Sequence, residues 1–141
     1  MPAVVGFAVA AEWALRDLQA DAARLSAMRD RLEAGLPHDA VIFGAAAKRL
    51  PNTSNFAVPG LAAETAVIAM DLEGVAISSG AACSSGKVRS SRVLAAMAVA
   101  PELAKAALRV SFGHESKDSD VDEVLHALNK IAARRTQGAA A

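Results

Sequence analysis

Residues Val75–Met97, VAISSGAACSSGKVRSSRVLAAM, change character twice within one short stretch. VAIS is the short apolar run of a strand, the Gly, Ala and Ser that follow are loop formers, and SRVLAAM reads as a short helix capped by Ser90 or Ser91. A strand that feeds a loop and then a helix assigns the region to the α/β class. The pattern continues on both sides.

Upstream, nothing breaks a helix from about Ala3 to Leu36 after Gly6. Leu15, Leu18, Ala22, Leu25, Met28 and Leu32 recur at steps of three and four, with Asp17, Asp21, Arg24, Arg31 and Glu33 on the opposite face. The start of this helix, before Glu12, carries no charge, so it is expected to need a covering partner. Gly35 and Pro37 end the helix. AVIFGA then reads as a strand, LPNTSNFAV as a turn and a second strand with Phe56 and Val58 alternating, and AAETAVIAMDLEG as a helix with Val67, Ile68 and Leu72 inward and Gly74 at its end. Downstream, Pro101 opens another short helix and LRVSF is a strand. The last helix runs from about Lys117 to Arg135, with Val121, Val124, Leu125, Leu128 and Ile131 on one face and Ser116 or Ser119 as its cap. The expected fold is a small α/β sandwich of one short sheet packed with helices, preceded by a long N-terminal helix. Its organisation is expected to be a connecting helix over 1–36, a small C-terminal α/β domain over 37–135 and a frayed tail over 136–141.

Bulk properties narrow the function. The 141 residues carry no formal net charge, so no basic field points to nucleic acid. PAVVGFAVAA is about half the roughly 20 apolar residues of a membrane span and has no basic residues before it, so neither an anchor nor a signal peptide is expected. The single cysteine can close no internal bridge, which points to a reducing, cytoplasmic setting. Apolar residues reach 53 %, largely alanine, and aromatics only 4 %, so a tight core of small residues is expected.

Two site types can be set aside. GAACSSGK has five residues rather than four between Gly80 and Gly86, and Val88 stands where a phosphate-binding loop needs Ser or Thr. His38, His114 and His126 show no ligand spacing with one another or with Cys83, so no metal site is expected. Two residues remain of interest. Cys83 is either a small buried apolar residue or a reactive thiol. Its neighbours Ser78, Ser79, Gly80, Ser84, Ser85 and Gly86 form loops better than cores, and Lys87, Arg89 and Arg92 downstream would favour the thiolate. Arg109 lies mid-strand on the face opposite Leu108, Val110 and Phe112, and shares its own face with Ser111. It is either a solvent-side residue or a carboxylate-gripping one.

SSGAACSSG, the following SSRVLAAM and the later LRVSFG, together with LPNTSNF and PAVVGFAVAAEWA, resemble the C-terminal part of a cysteine desulfurase over nearly the whole chain. The Ser-Ser-Gly-x-x-Cys form is similar to the branch that supplies sulfur for iron–sulfur cluster assembly. The resemblance implies a pyridoxal phosphate enzyme of fold type I in which a protein thiol takes sulfur from L-cysteine as a persulfide, leaving alanine. By the same match Cys83 is the nucleophile and Arg109 the substrate-carboxylate residue. It further implies a homodimer, an acceptor protein for the sulfur, and a large domain that holds the cofactor through a lysine. None of Lys48, Lys87, Lys105, Lys117 and Lys130 sits in a segment resembling that lysine site, so no cofactor is expected on this chain alone, and turnover is expected to be absent. Two departures stand out: Arg89-Ser90-Ser91-Arg92 replaces a common Pro-Ser-His, and Ala98 stands where glycine is common. The alternative readings are a stand-alone persulfide carrier or thiol interaction module, and a truncated non-catalytic remnant.

Overall fold

The computed structural model of the chain describes residues 1–79 and 91–138, with side chains up to residue 134. The expectations placed on Cys83, Lys87, Arg89 and Ser90 therefore lie outside the described residues, as does the end of the tail.

Helix α1 spans Pro2–Ala34. Its two halves differ. Leu25, Met28 and Leu32 are buried in the core, whereas Val4, Phe7, Trp13, Leu15 and Leu18 are exposed, Phe7 at 77 % and Trp13 at 62 %. The apolar stripe read from the sequence thus serves the core only from about Leu25 onward. At about 1.5 Å per residue, the exposed half projects by roughly 30 Å. The charged residues of the second half are not a solvated face. Arg24 donates to the carbonyls of His114 and Ser116, and Arg31 to the carbonyl of Asp118 and the carboxylate of Asp122, which ties the helix to the start of the last one.

Among the described residues four strands follow: β1 Val41–Ile42, β2 Thr53–Ala57, β3 Ser78–Ser79 and β4 Ala107–Ser111. They form an antiparallel sheet in the order β1-β2-β4-β3. The first and third are shorter than the runs AVIFGA and VAIS suggest. Between them lie α2 Ala63–Leu72, α3 Arg92–Ala96 and α4 Pro101–Lys105, with α5 Asp118–Gly138 closing the chain.

One sheet face is apolar. Phe56, Leu108 and Val110 point into a core completed by α1, by α2 and by Val121, Val124, Leu128 and Ile131 of α5, while Leu125 packs against its edge. The expected inward face of α2 is corrected: Ile68 and Leu72 are exposed, Val67 is half-buried, and Ala63, Ala66 and Met70 are buried instead. The small Ala63 and Ala66 let α2 lie close to the sheet and to α5, with Met70 filling the core between them, which leaves Ile68 and Leu72 outside. The helix ends as its glycine suggests. Gly74 has φ +81°, its N–H reaches the carbonyl of Asp71, and Val75 N–H reaches that of Met70, which satisfies two carbonyls of the last turn.

On the other face the described residues cover only one end. Ala57 and Ala107 lie under Phe43, Leu94, Ala104 and Ala106, contributed in part by α3 and α4. Ser91 caps α3, its hydroxyl accepting from Leu94 N–H at 3.3 Å. The caps expected for α5 are corrected. Ser116 Oγ accepts from Gly113 N–H within the preceding turn, and Asp120 reaches back to Lys117 N–H. An aspartate in the first helical turn adds a favourable charge at the positive end of the helix dipole, which a serine cannot.

Candidate carboxylate-binding site

The end of the second sheet face that no described residue covers is polar because β2 and β4 alternate. In β4, Ala107, Leu108 and Val110 are buried while Arg109 and Ser111 are exposed. In β2, Ser54 and Phe56 are buried while Thr53 and Asn55 are half-buried. Antiparallel pairing sets Thr53 opposite Ser111, Asn55 opposite Arg109, and Ser78 of β3 opposite Arg109 from the other side. Directly paired residues share a face. Thr53, Asn55, Ser78, Arg109 and Ser111 therefore form one polar shelf, and the expectation that Ser111 would share a polar face with Arg109 is met.

The Arg109 backbone is held by buried neighbours on both sides, Leu108 and Val110, so the guanidinium is carried by a rigid element. One of its terminal nitrogens donates to Ser78 Oγ at 3.4 Å. Other arginines find carboxylates: Arg16 pairs with Asp17, Arg24 with Asp21, Arg29 with Asp30, Arg31 with Asp122 and Arg49 with Glu33. Arg109 has no such partner among the described residues. Its remaining donors suit a carboxylate from outside, which a guanidinium binds by two parallel hydrogen bonds.

Strand β3 ends at Ser79, one residue past the Ser78 that faces Arg109, and Cys83 follows four residues later in the sequence. Arg92 is exposed at the start of α3, on the far side of the same connection. Among the described residues no group of three or more His, Cys, Asp or Glu could hold a metal ion. Nor is any described helix long and apolar enough to cross a membrane. Sequence reasoning missed Asn55 and gave Ser78 no role at the site. The alternation in NTSNF marks Asn55 as a polar-face residue, but only the register sets it against Arg109.

A family model described as aminotransferase class-V matches residues 1–124. The chain belongs to that family. Within it, the chain is similar to a cysteine desulfurase of Gluconacetobacter diazotrophicus, with 41 % identity over 137 residues that cover 95 % of this chain and 34 % of that protein. It is also similar to the cysteine desulfurase NifS of Azotobacter vinelandii, at 34 % identity over 93 % of this chain and 33 % of the relative. The solved NifS-like protein from Rickettsia africae has a TM-score of 0.82 at 26 % identity, covering 93 % of this chain and 34 % of that one. The chain thus spans about one third of the length of the relatives it matches. The resemblance to cysteine desulfurases and the α/β class are both borne out.

Aminotransferase class-V enzymes use pyridoxal phosphate. Its attachment needs a lysine able to lose its charge, normally by burial beside the reacting groups. The described residues do not fit that requirement. Lys48, Lys105, Lys117 and Lys130 are exposed, Lys105 paired with Glu102 and Lys130 with Glu73, and none lies on the shelf with Arg109.

Proposed function

We propose that this chain carries the sulfur-accepting thiol, Cys83, and the substrate-carboxylate arginine, Arg109, of a cysteine desulfurase. The observation that carries the reading is the Arg109 guanidinium, which has no carboxylate partner among the described residues and stands on a rigid strand paired with the strand that precedes Cys83 in sequence. Arg109 holds the carboxylate of L-cysteine, and the Cys83 thiolate meets the substrate sulfur. One S–S bond forms and the substrate C–S bond breaks. The electron pair of that bond remains on carbon, which gains a proton to give alanine, and the protein keeps a persulfide for an acceptor such as iron–sulfur assembly machinery. The family's cofactor supplies the electron sink that makes this cleavage possible, and a further cofactor-binding region is proposed to provide its site. That region is also proposed to cover the exposed half of α1.

Alanine and sulfide release from L-cysteine test the reading. The chain alone is expected to give neither. Combined with the cofactor-binding region of a relative, it is expected to give both, with Cys83→Ala silent and Arg109→Ala raising KM. Turnover undiminished in Cys83→Ala overturns the assignment. Mass spectrometry after exposure to an active cysteine desulfurase is expected to find one added sulfur atom on Cys83 and none in the alanine variant.

A further inference from the structure

Arg109 is the middle of a row of three. Asn55 stands directly opposite on one side and Ser78 on the other, with Cβ atoms about 5 Å apart across each pair. The two flanks are in different states. The Ser78 hydroxyl is already engaged by Arg109. The Asn55 backbone is fixed, its carbonyl accepting from Phe43 N–H at 2.8 Å, while its side-chain amide hydrogen-bonds to no described residue. No acidic side chain stands in this row or in the neighbouring Thr53–Ser111 pair, so nothing in either row neutralises the guanidinium.

A carboxylate has two oxygens and about four lone-pair sites, more than the two that an arginine fork engages. The remainder need a neutral donor close by, and an asparagine NH₂ is one. A long arginine side chain also loses rotamer freedom when it binds, a cost reduced by a hydrogen bond that restricts it beforehand.

We infer that Asn55 and Ser78 set the carboxylate specificity of this site. Asn55 donates a second, neutral hydrogen bond to the carboxylate that Arg109 grips, and Ser78 is a positioning residue that holds the guanidinium ready. The inference rests on the assignment of Arg109 above and extends it to the two flanking strands.

The test is an NMR titration of the whole chain, observing the Arg109 side-chain N–H. One ligand is L-alanine, the amino acid that remains once sulfur is removed. The other is L-alaninamide, which keeps the amine and methyl but lacks the carboxylate. The Arg109 signal is expected to shift with alanine and not with alaninamide. Ser78→Ala and Asn55→Ala are each expected to weaken alanine binding by roughly threefold to tenfold, the effect of one hydrogen bond. Ser78→Thr is expected to restore it, and Asn55→Asp to abolish it, because a resident carboxylate then occupies the guanidinium. A purely structural role for either residue would not respond to these charge and hydroxyl exchanges while the rest of the spectrum is unchanged. Wild-type alanine binding in both alanine variants overturns this inference and leaves Arg109 as the carboxylate residue. Undiminished binding in Arg109→Ala, or no alanine response in the wild-type chain, overturns both.

Discussion

Arg49 grips both oxygens of Glu33, at 2.6 and 2.9 Å, and so fastens the loop after β1 to the last turn of α1. The same carboxylate accepts from the fully buried hydroxyl of Ser54 at 2.7 Å. Arg49 chiefly, with Ser54 adding to it, holds the Glu33 carboxyl below its ordinary range against the opposing effect of burial. A carboxyl whose folded pKa is depressed stabilises the fold above its unfolded value and loses that contribution as pH falls through the folded one. Stability is therefore expected to be flat near neutrality and to decline from about pH 4.3 downward. Glu33→Gln should flatten this decline in denaturant midpoints measured across the acid range. Arg49→Ala leaves the Glu33 carboxylate without its ionic partner in a site where the two ionic side chains are only 11 % and 19 % exposed, and is expected to cost about 2 kcal/mol near neutral pH.

Gly35 is required by a neighbour rather than by its backbone angles. Its φ of −92° is open to any residue, but a Cβ there would lie 2.5 Å from Leu125 Cδ1 of α5. Gly35→Ala is expected to cost about 1 kcal/mol, because the leucine must swing aside from a packed position. In the Leu125→Ala background the same change should cost less. A double-mutant cycle that came out additive would contradict the contact.

Ala98 presents the opposite case. It has φ +56°, the left-handed region, immediately after the C-cap of α3. Its N–H bonds to Ala95 and that of Val99 to Leu94. A side chain in this conformation costs about 1 kcal/mol that glycine avoids. Ala98→Gly is therefore expected to raise the melting temperature by several degrees, even though glycine is more flexible when unfolded.

The two halves of α1 should respond differently to truncation. Leu32→Ala empties a fully buried position and is expected to cost about 3 kcal/mol. Phe7→Ser, at a residue 77 % exposed, should leave the melting temperature nearly unchanged. It should also reduce concentration-dependent association in size-exclusion runs, because it removes exposed apolar surface.

Helix periodicity and strand alternation made most elements legible, since α1 from Leu25 onward, α5, β2 and β4 each bury one face at the spacing their residues show. Arg109 was legible for the same reason. What alternation cannot supply is register, which is set by contacts between strands distant in sequence. For that reason Asn55 and Ser78 were seen as polar residues and not as the flanks of Arg109. Composition misled at α2, where a helix apolar on both sides leaves the choice of buried face to packing, and packing favoured alanine over Ile68 and Leu72. The polar positions of α1 misled too: Glu33 and Arg24 look like surface charge until their partners, Arg49 and Ser54 for the one and the His114–Ser116 turn for the other, are known.

From Phe7 to Ala34, α1 contains neither glycine nor proline, the residues at which helices usually kink. Its C-terminal half is clamped by Arg24 and Arg31, so its N-terminal half is a stiff lever rather than a tether. A tilt of a few degrees at the clamp moves the far tip by an ångström or two, over the length of about 30 Å that 20 residues of helix provide. The same stiffness works in reverse: a body seated on that tip would fix the orientation of the sheet, and with it the direction from which a carboxylate approaches Arg109.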